Sequence, residues 1–302
     1  MARILTIGIA TLDIINSVDG FPPEDSEVRA LSQAIRRGGN AANTAVVLAQ
    51  LGHDCAWAGT ISDDAGGETI CHDLRQHGIS IQHAQRIVNG HTPTSYIIHN
   101  RHNGSRSIVH YRDLPEFSNA MFNAIDLSQY DWLHVEGRNC SETAIILRLA
   151  RQHRPDLSIS VEIEKVRPAI EDLFELADLL LFSRAYAQQL GFQDAETFLC
   201  AHRPKAHHAD RICAWSEAGA WALARTQAHD CDYSPAYPPP QIIDTLAAGD
   251  TFNAGVIDAC CRQQSLAQAI AFGCRLAGYK CGVNGLTLNH TAIEQMLLGQ
   301  SR

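Results

Sequence analysis

The amino-acid sequence predicts an α/β protein built on a doubly wound, mainly parallel sheet in three layers, with a small β-sheet lid beside it. Two observations lead to this prediction. Short apolar runs alternate with helical segments along most of the 302 residues, which is typical of a parallel sheet with helices on both faces. Two segments, 11–36 and 92–114, interrupt that alternation with β-type residues and turn signals.

The elements of the large sheet follow one another along the chain. The strand candidates are the apolar runs RILTIGIA, DWLHVEG, SISVEIE, ADLLLFS and RICAWSEAG. The clearest helix candidates are NTAVVLAQLG and SETAIILRLARQH, in which apolar residues recur with a helical period. Because strands and helices alternate in this way, we expect most strands to be parallel.

The two interrupting segments read as hairpins of a separate sheet. Their turn signals are Phe-Pro-Pro in the first and Asn-Gly in the second, and neither contains a helical pattern. Both are insertions in the α/β order, so one lid made of two discontinuous stretches is the simplest arrangement. The sequence therefore predicts a core of residues 1–10, 37–91 and 115–302 and a lid of residues 11–36 and 92–114.

Composition excludes several classes of function. The chain has 33 acidic and 24 basic residues and a formal net charge of -9, which disfavours a nucleic-acid surface. No apolar run approaches the roughly 20 residues that a membrane span needs, so we expect a cytoplasmic protein with no membrane partner. The ten cysteines are scattered without a C-x-x-C pair, which predicts reduced thiols and no structural metal.

One stretch, DTLAAGDTFNAG at residues 244–255, predicts a phosphate-binding site although the usual nucleotide fingerprints are absent. Apolar periodicity begins at Phe252, so residues 247–250 lie at a helix N-terminus with free backbone amides. Small side chains let a phosphoryl group approach, and Asp250 could take a proton from a hydroxyl nucleophile. Alternatively, Asp250 merely caps the helix and Gly249 merely turns the chain.

Two motifs carry a resemblance to a known family. DTLAAGDTFNAG is similar to the D-T-x-G-A-G-D signature of the ribokinase-like (PfkB) carbohydrate kinases. RRGGNAANTAVVLAQLG resembles the N-terminal G-G-N-x-x-N signature of the same family. Further segments, among them HVEGRN, VEIEK and FGCRLAGYKCG, are similar to the branch that phosphorylates ketohexoses. The resemblance implies a ribokinase-like fold and a sugar substrate.

The resemblance also implies roles for individual residues. Asp250 would be the general base, and the amides of Ala247, Ala248 and Gly249 would stabilise the transferring phosphoryl group. The residues implied to bind or align the sugar and the phosphates are Asp13, Asp25, Gly39, Asn40, Asn43, Arg106 and Asn253. The residues implied to contact the nucleotide are Glu217, Gly219, Phe252, Cys274, Ala277 and Cys281. For the two cysteines, ordinary helix packing is the alternative.

A homodimer is a further implication, in which the lids of two chains pair and Asp25 serves the neighbouring site. The resemblance also bears on metal ions. The Asn-x-x-Glu motif that orients Mg²⁺ in many members is absent, because residues 183–186 read Ser-Arg-Ala-Tyr. Glu162 and Glu164 alternate near a strand end, so one of them, Glu164 above all, could hold Mg²⁺ through water. Alternatively, they form a buried pair neutralised by Lys165 or arginines.

One departure from the signature concerns Ala247, which stands where the family has its first glycine. A positive φ at this position would be strained, whereas an ordinary helix entry tolerates alanine, and we expect activity to survive. K⁺ near Asp244 is a further expectation from the resemblance.

The expected function is transfer of the ATP γ-phosphoryl group to a sugar hydroxyl, with Mg²⁺ as cofactor. The C1 hydroxyl of D-fructose or a related ketose is the expected acceptor. A ribose, nucleoside or modified-ketose kinase and a non-catalytic sugar sensor are the alternatives.

Overall fold

A computed structural model describes residues 1–102, 104–227 and 229–298. Asn103, in the predicted Asn-Gly turn, lies outside the described residues. The strands within the described residues are β1 (Arg3–Ile7), β2 (Thr11–Val18), β3 (Ser32–Gly38), β4 (Asp54–Ala58), β5 (Thr60–Ser62), β6 (Gln85–Ile87), β7 (Thr94–Asn100), β8 (Arg106–Tyr111), β9 (Trp132–Glu136), β10 (Ser158–Ile163), β11 (Leu179–Ser183), β12 (Asp210–Ala214), β13 (Ala220–Leu223) and β14 (Asp232–Ser234).

The helices alternate with these strands over most of the chain. They are α1 (Asn40–Gln50), α2 (Ala65–Gln76), α3 (Asn119–Phe122), α4 (Cys140–His153), α5 (Arg184–Gln189), α6 (Ala195–His202), α7 (Ala248–Cys261), α8 (Leu266–Cys281) and α9 (His290–Leu298). Each of the five apolar runs proposed as strands overlaps a strand of the large sheet, and both helix candidates fall on helices, α1 and α4.

The large sheet is mainly parallel, as the alternation predicts. Its strand order in the described residues is β14-β13-β12-β11-β10-β9-β1-β4, and only β13 and β14 run antiparallel to their neighbours. One face packs against α4, α5 and α6, and the other packs against α1, α2, α7 and α8. The predicted three-layer α/β fold is therefore confirmed.

Parallel strands bring their carboxyl ends to one edge of this sheet. Strands β1, β9 and β10 are consecutive neighbours there, and the chain leaves β9 at Glu136 and β10 just after Glu162. Helix α7 packs beside α1, and its N-terminus lies near the same edge because Asn43 of α1 bonds Asp250 of α7. Ligands of open α/β sheets bind at this edge.

The small sheet has the order β3-β2-β7-β8, drawn from two separate stretches of chain. Residues that are directly opposite one another share a face, because side chains alternate along each strand. The register places Arg36, Asp13, Ser95 and His110 in one row across the four strands, and we call their side the inner face. Arg106 lies on the same face, since it is four residues from His110 on β8.

The opposite side of the small sheet is the outer face. It carries Ile35, Tyr96, Val109 and Tyr111, each of which is at least half exposed in the single chain. The inner face looks toward the large sheet, because its two arginines contact core loops: Arg36 Nη1 lies 2.9 Å from Asp244 Oδ2. Arg106 Nη1 donates to Thr245 Oγ1 at 2.8 Å. None of the described helices is both long and apolar enough to cross a membrane.

Candidate active site

The N-terminus of α7 is formed by the Ala-Ala-Gly-Asp residues of the DTLAAGDTFNAG motif. The helix begins at Ala248, and Ala247 precedes it with φ 60 and ψ 15, in the left-handed region. The first amides of an α-helix have no partner inside the helix, and here the Ala248 amide makes only a long 3.4 Å bond to Thr245 O. These amides and the helix dipole can therefore receive a phosphoryl group.

Asp250 lies in the first turn of α7 and does not cap it. Its side chain makes no capping hydrogen bond; instead Oδ2 accepts from Asn43 Nδ2 at 2.6 Å. Asp250 is only 6 % exposed, and burial raises the pKa of its carboxyl to about 7, against the lowering effect of the Asn43 bond. The capping interpretation therefore fails, and the carboxylate has the proton affinity of a general base.

The turn that leads into α1 positions Asn43. Gly39 has φ 100, and a Cβ there would lie 2.2 Å from Ile9 O, so only glycine fits. Asn43 Oδ1 accepts from Arg37 Nη1 at 2.6 Å, and Arg37 in turn pairs with Asp73 of α2. With its oxygen held by Arg37, the Asn43 amide must present its Nδ2 to Asp250.

Glu162, near the end of β10, joins two of the predicted sugar residues. Its Oε1 accepts from Asn40 Nδ2 at 3.1 Å and from Asn253 Nδ2 at 3.3 Å, while its buried Oε2 has no partner in the described residues. Burial, Asp250 and Glu136 raise the pKa of Glu162 well above its ordinary value. Glu162 thus aligns two amides beside Asp250.

The alternative of a buried Glu162–Glu164 pair does not hold, because only Glu162 is buried. Strand β10 ends at Ile163, so Glu164 lies beyond the strand, where its side chain is 41 % exposed and pairs with Lys165 at 3.1 Å. Glu162 remains buried without a cation of the described residues within ion-pair distance. Within the described residues no group of three or more His, Cys, Asp or Glu is arranged to ligate a metal directly. Any metal role of Glu164 therefore stays a prediction of contact through water.

Sequence reasoning missed Glu136, the last residue of β9. Its Oε1 accepts from Ala41 N at 2.6 Å and from Ile9 N at 3.1 Å, which ties α1 to the end of β1. Burial raises its pKa to about 7, opposed by the charge of Arg138. The signal was an acidic residue directly after the apolar run WLHV, at the sheet edge where ligands bind.

The two lid aspartates occupy different surroundings. Asp13 lies on the inner face, where Oδ1 accepts from Thr11 Oγ1 at 2.8 Å, and burial raises its pKa. A Cβ on Gly38 would lie 2.1 Å from Asp13 Oδ2, so that glycine makes room for the carboxylate. Asp25 instead lies on the exposed loop between β2 and β3, with φ 57. Within one chain the structure does not bring Asp25 to the site.

The loop before α7 is held by charged side chains. Asp244 Oδ2 lies 2.9 Å from Arg36 Nη1 and 3.3 Å from Lys280 Nζ, and Lys280, fully buried, also donates to Asp244 O at 2.8 Å. Burial and Lys280 act in opposite directions on Asp244, and the net effect lowers its pKa. Two protein cations thus neutralise this carboxylate within the chain, and a K⁺ role for Asp244 stays a prediction.

The predicted nucleotide residues divide into two groups. Cys274, Ala277 and Cys281 follow one another along one side of α8, next to the Asp244 loop, where the Cys281 carbonyl accepts from Ile243 N and Asp244 N. Phe252 is 4 % exposed, and its ring lies so close to Gly273 of α8 that a Cβ there would clash, which favours a packing role.

Glu217 and Gly219 lie near the antiparallel end of the large sheet. The Glu217 carboxylate is engaged by Arg184 at 2.6 Å. Gly219 has φ 99, and a Cβ there would lie 2.1 Å from Ser234 O, so the backbone itself requires glycine at this position.

Taken together, a doubly wound sheet, a buried carboxylate at a helix N-terminus and a small sheet facing it fit an enzyme that transfers a phosphoryl group to a hydroxyl. The pfkB family carbohydrate kinase model matches residues 1–292, and the chain belongs to that family. It is an ATP-dependent sugar kinase.

One relative agrees with this assignment, and two solved structures share the fold. Ketohexokinase of Mus musculus is 40 % identical over 291 residues, covering 94 % of this chain and 97 % of the relative. The fold is similar to that of Cryptococcus neoformans ribokinase in complex with ADP, with TM-score 0.82 and 20 % identity over 98 % of this chain and 99 % of that one. Arabidopsis thaliana ribokinase complexed with ribose and ATP has TM-score 0.82 and 18 % identity over 98 % of each chain.

Proposed function

We propose that this kinase transfers the γ-phosphoryl group of ATP to the C1 hydroxyl of D-fructose or a related ketose. The observation that carries the proposal is the buried Asp250 carboxylate in the first turn of α7, held by Asn43 and without a cation at ion-pair distance in the described residues. The similarity to mouse ketohexokinase, at 40 % identity, supports a ketohexose as acceptor. A ribose, nucleoside or modified-ketose kinase is the alternative, and a non-catalytic sugar sensor is a weaker one.

Asp250 acts as the base in this proposal. With a pKa near 7 it is partly ionised at neutral pH, so it can accept the proton of the attacking hydroxyl as that oxygen bonds to phosphorus. The amides of Ala247, Ala248 and Gly249 stabilise the charge on the transferring group. Arg106 reaches Thr245 beside this helix end and adds a positive charge toward the phosphates.

The sugar occupies the space between the inner face and the α1 turn. Asp13 comes from the lid, while Gly39, Asn40 and Asn43 come from the turn and the first residues of α1. Asn253 contributes from α7, where Glu162 directs its amide. Carboxylates and amides in one pocket can pair with vicinal hydroxyls, and a sugar that leaves them unpaired is rejected.

ATP binds along α8 and the loop before α7. Cys274, Ala277 and Cys281 offer a side of small residues against which an adenine can pack, and Gly219 keeps the neighbouring strand close. Glu164 is exposed enough to hold Mg²⁺ through a water, and the ion would supply positive charge beside the phosphates of ATP.

The outer face supports a homodimer. Ile35, Tyr96, Val109 and Tyr111 come from all but one of the strands of the small sheet and expose a contiguous apolar surface, which is unusual for a monomer. Pairing of two lids through this face covers it, and it also allows the exposed Asp25 loop of one chain to approach the site of the other.

The acceptor is tested with a panel of ketoses, aldoses and nucleosides under saturating ATP, with ADP release as the readout. We expect the highest kcat/KM with D-fructose or a related ketose, and a phosphorus–proton NMR coupling that places the new phosphate on C1. Preference for ribose or a nucleoside would replace the proposal with its alternative. Absence of ADP release with every member of the panel would leave only the sugar sensor.

The dimer is tested by light scattering. The wild type should have twice the 33.1 kDa mass of one chain. Val109→Asp places a charge on the outer face and should give a monomer. Val166→Asp is the control, because Val166 is an exposed valine outside the small sheet and should leave the dimer intact. A monomeric wild type, or a dimeric Val109→Asp, would contradict the arrangement.

A further inference from the structure

His110 lies in the same row as Asp13 on the inner face, and no motif pointed to it. The register pairs Asp13 with Ser95 and Ser95 with His110, so the three side chains project from adjacent strands on one side of the sheet. Arg36 and Arg106 on this face reach core loops, so the row lies on the side of the small sheet that faces the site.

The hydrogen bonds along this row fix the ring of His110. Ser95 Oγ lies 3.2 Å from His110 Nδ1, and the Ser95 hydroxyl is also one of the hydrogen-bond partners that lower the pKa of Asp13. A serine hydroxyl has one proton, so when Ser95 donates to Asp13 it accepts from His110 Nδ1–H. The neutral ring then has Nε2 free as an acceptor.

The charged groups around His110 disfavour protonation of its ring. Burial and the charges of Arg138, Arg112 and Lys165 lower its pKa, and Asp13 opposes them. Arg138 follows β9, Lys165 follows β10 and Arg112 follows β8, so these groups surround the ring from the core as well as from the lid. This burial is only partial: His110 is exposed, so a sugar hydroxyl can reach its ring, whereas a histidine that serves core packing would be enclosed.

We propose that His110 is a specificity-determining residue of the sugar pocket, where its Nε2 accepts a hydrogen bond from a sugar hydroxyl other than the one that receives the phosphoryl group. The proposal rests on the proposed function, because it needs a sugar bound between the inner face and Asp250. The Asp13–Ser95–His110 row then acts as one unit: Asp13 binds one part of the sugar directly, and Ser95 sets the tautomer with which His110 binds another.

The test is a double-mutant cycle between the protein and the sugar. His110→Ala is compared with wild type on the best sugar of the panel and on its monodeoxy analogues. We expect His110→Ala to raise the sugar KM about 5- to 10-fold, as for a lost hydrogen bond, while kcat stays within about 3-fold. With one deoxy analogue, the KM of the wild type should rise by a similar factor, whereas the KM of His110→Ala should not rise further.

Two control variants make the cycle specific. His110→Gln keeps an acceptor at a comparable reach and should retain part of the coupling. Ile108→Ala removes a neighbouring exposed side chain from the same face and should show coupling with none of the analogues. The KM for ATP should stay within about 2-fold in all three variants, because uniform loss of both affinities would indicate a misplaced lid.

The outcomes separate this proposal from the proposed function. Turnover of a sugar by the wild type with no analogue coupled to His110 would overturn the role of His110 and leave the function standing. An unchanged sugar KM in His110→Ala would do the same. Absence of turnover with every sugar would overturn both, whereas coupling to a single hydroxyl supports both.

Discussion

Two buried aspartates lie near opposite ends of helix α7, and their surroundings differ. Asp258 is 0 % exposed, and its carboxylate lies 2.9 Å from His53 Nε2 and 2.9 Å from Arg262 Nε. Asp250 is 6 % exposed, yet only the neutral Asn43 amide bonds its carboxylate within the described residues. One charge is compensated in place, and the other is not.

This difference distinguishes a structural carboxylate from a reactive one. Ala2 N donates to His53 Nδ1, so Nε2 carries the ring proton and points to Asp258, which joins β1, α1 and α7 at the end remote from the site. At Asp250 the missing counter-ion leaves burial to raise the pKa to about 7. A buried acid without a partner is costly for folding, and it is found where a proton must move.

The largest expected effect comes from Asp250→Asn, which keeps the shape but cannot accept a proton. If Asp250 is the general base, kcat should fall by about 10²–10⁴-fold, while sugar and ATP affinities stay within a few-fold. Steady-state kinetics with calorimetric binding measures both. Asp258→Asn is the matched control and should keep kcat within about 3-fold in folded protein. Near-normal turnover of Asp250→Asn would end the proposed mechanism.

The next effect concerns Asp258, where the comparison predicts a loss of stability and not of catalytic activity. Asp258→Asn removes the buried negative charge opposite Arg262 and replaces one of its two acceptor oxygens with a donor NH2, so we expect the free energy of unfolding to fall by about 2–3 kcal/mol. This loss of stability is smaller than that expected on breaking a fully buried ion pair, because the Arg262 side chain is 42 % exposed and can reach water. Urea unfolding at neutral pH measures it, and a change under about 0.5 kcal/mol would contradict a structural role.

A pH series sharpens the same contrast. Asp250 must be ionised to act, and its pKa is raised from 3.8 to about 7, so kcat/KM should fall about tenfold per unit below pH 7. The free energy of unfolding should change with pH in the opposite direction. The folded state holds this proton while the unfolded state releases it, so the Asp250 contribution weakens stability as pH rises from 3.8 to 7.

Asp250→Asn separates the two pH effects, since asparagine does not titrate. Its urea midpoint should lose part of the pH dependence that the wild type shows between acid and neutral pH. A wild-type kcat/KM that stays flat between pH 5 and pH 7 would show that Asp250 does not limit the reaction as a base.

Sequence alone could predict the large sheet, because apolar runs such as those of β9 and β10 report burial directly. It could also predict Asp250 and Asn43, which lie in short motifs around glycines. It could not predict the contacts that Glu136, Glu162 and His110 make, although Glu162 was a candidate metal residue. Their roles come from neighbours distant in the chain, such as Ala41 for Glu136 and Asn253 for Glu162, and spacing carries no information about such contacts.

Ala247 shows the same limit at one backbone position. The sequence showed a substitution for the first glycine of the signature, but the sign of φ depended on how Asp244 anchors the loop: Leu246 N donates to Asp244 Oδ1 at 2.9 Å. With φ 60 at Ala247, the strained alternative holds. The strain lies in the peptide next to the amides that the reaction needs.

The smallest expected effect is therefore that of Ala247→Gly, which sharpens the comparison by changing the conformational cost at the Asp250 end of α7 alone. A left-handed alanine costs about 1–2 kcal/mol, and the greater freedom of glycine in the unfolded chain offsets part of the relief. We expect a net gain of about 0.5–1 kcal/mol, a rise in Tm of about 1–3 °C, and kcat within about 2-fold. Calorimetry and steady-state kinetics measure these changes.

Ala248→Gly is the control for this prediction. The φ of Ala248 is not positive, so glycine there relieves no strain and should lower stability by up to about 1 kcal/mol. A destabilised Ala247→Gly would mean that the left-handed turn is held without strain, so that the uncompensated charge of Asp250 is the only cost at this end of the helix.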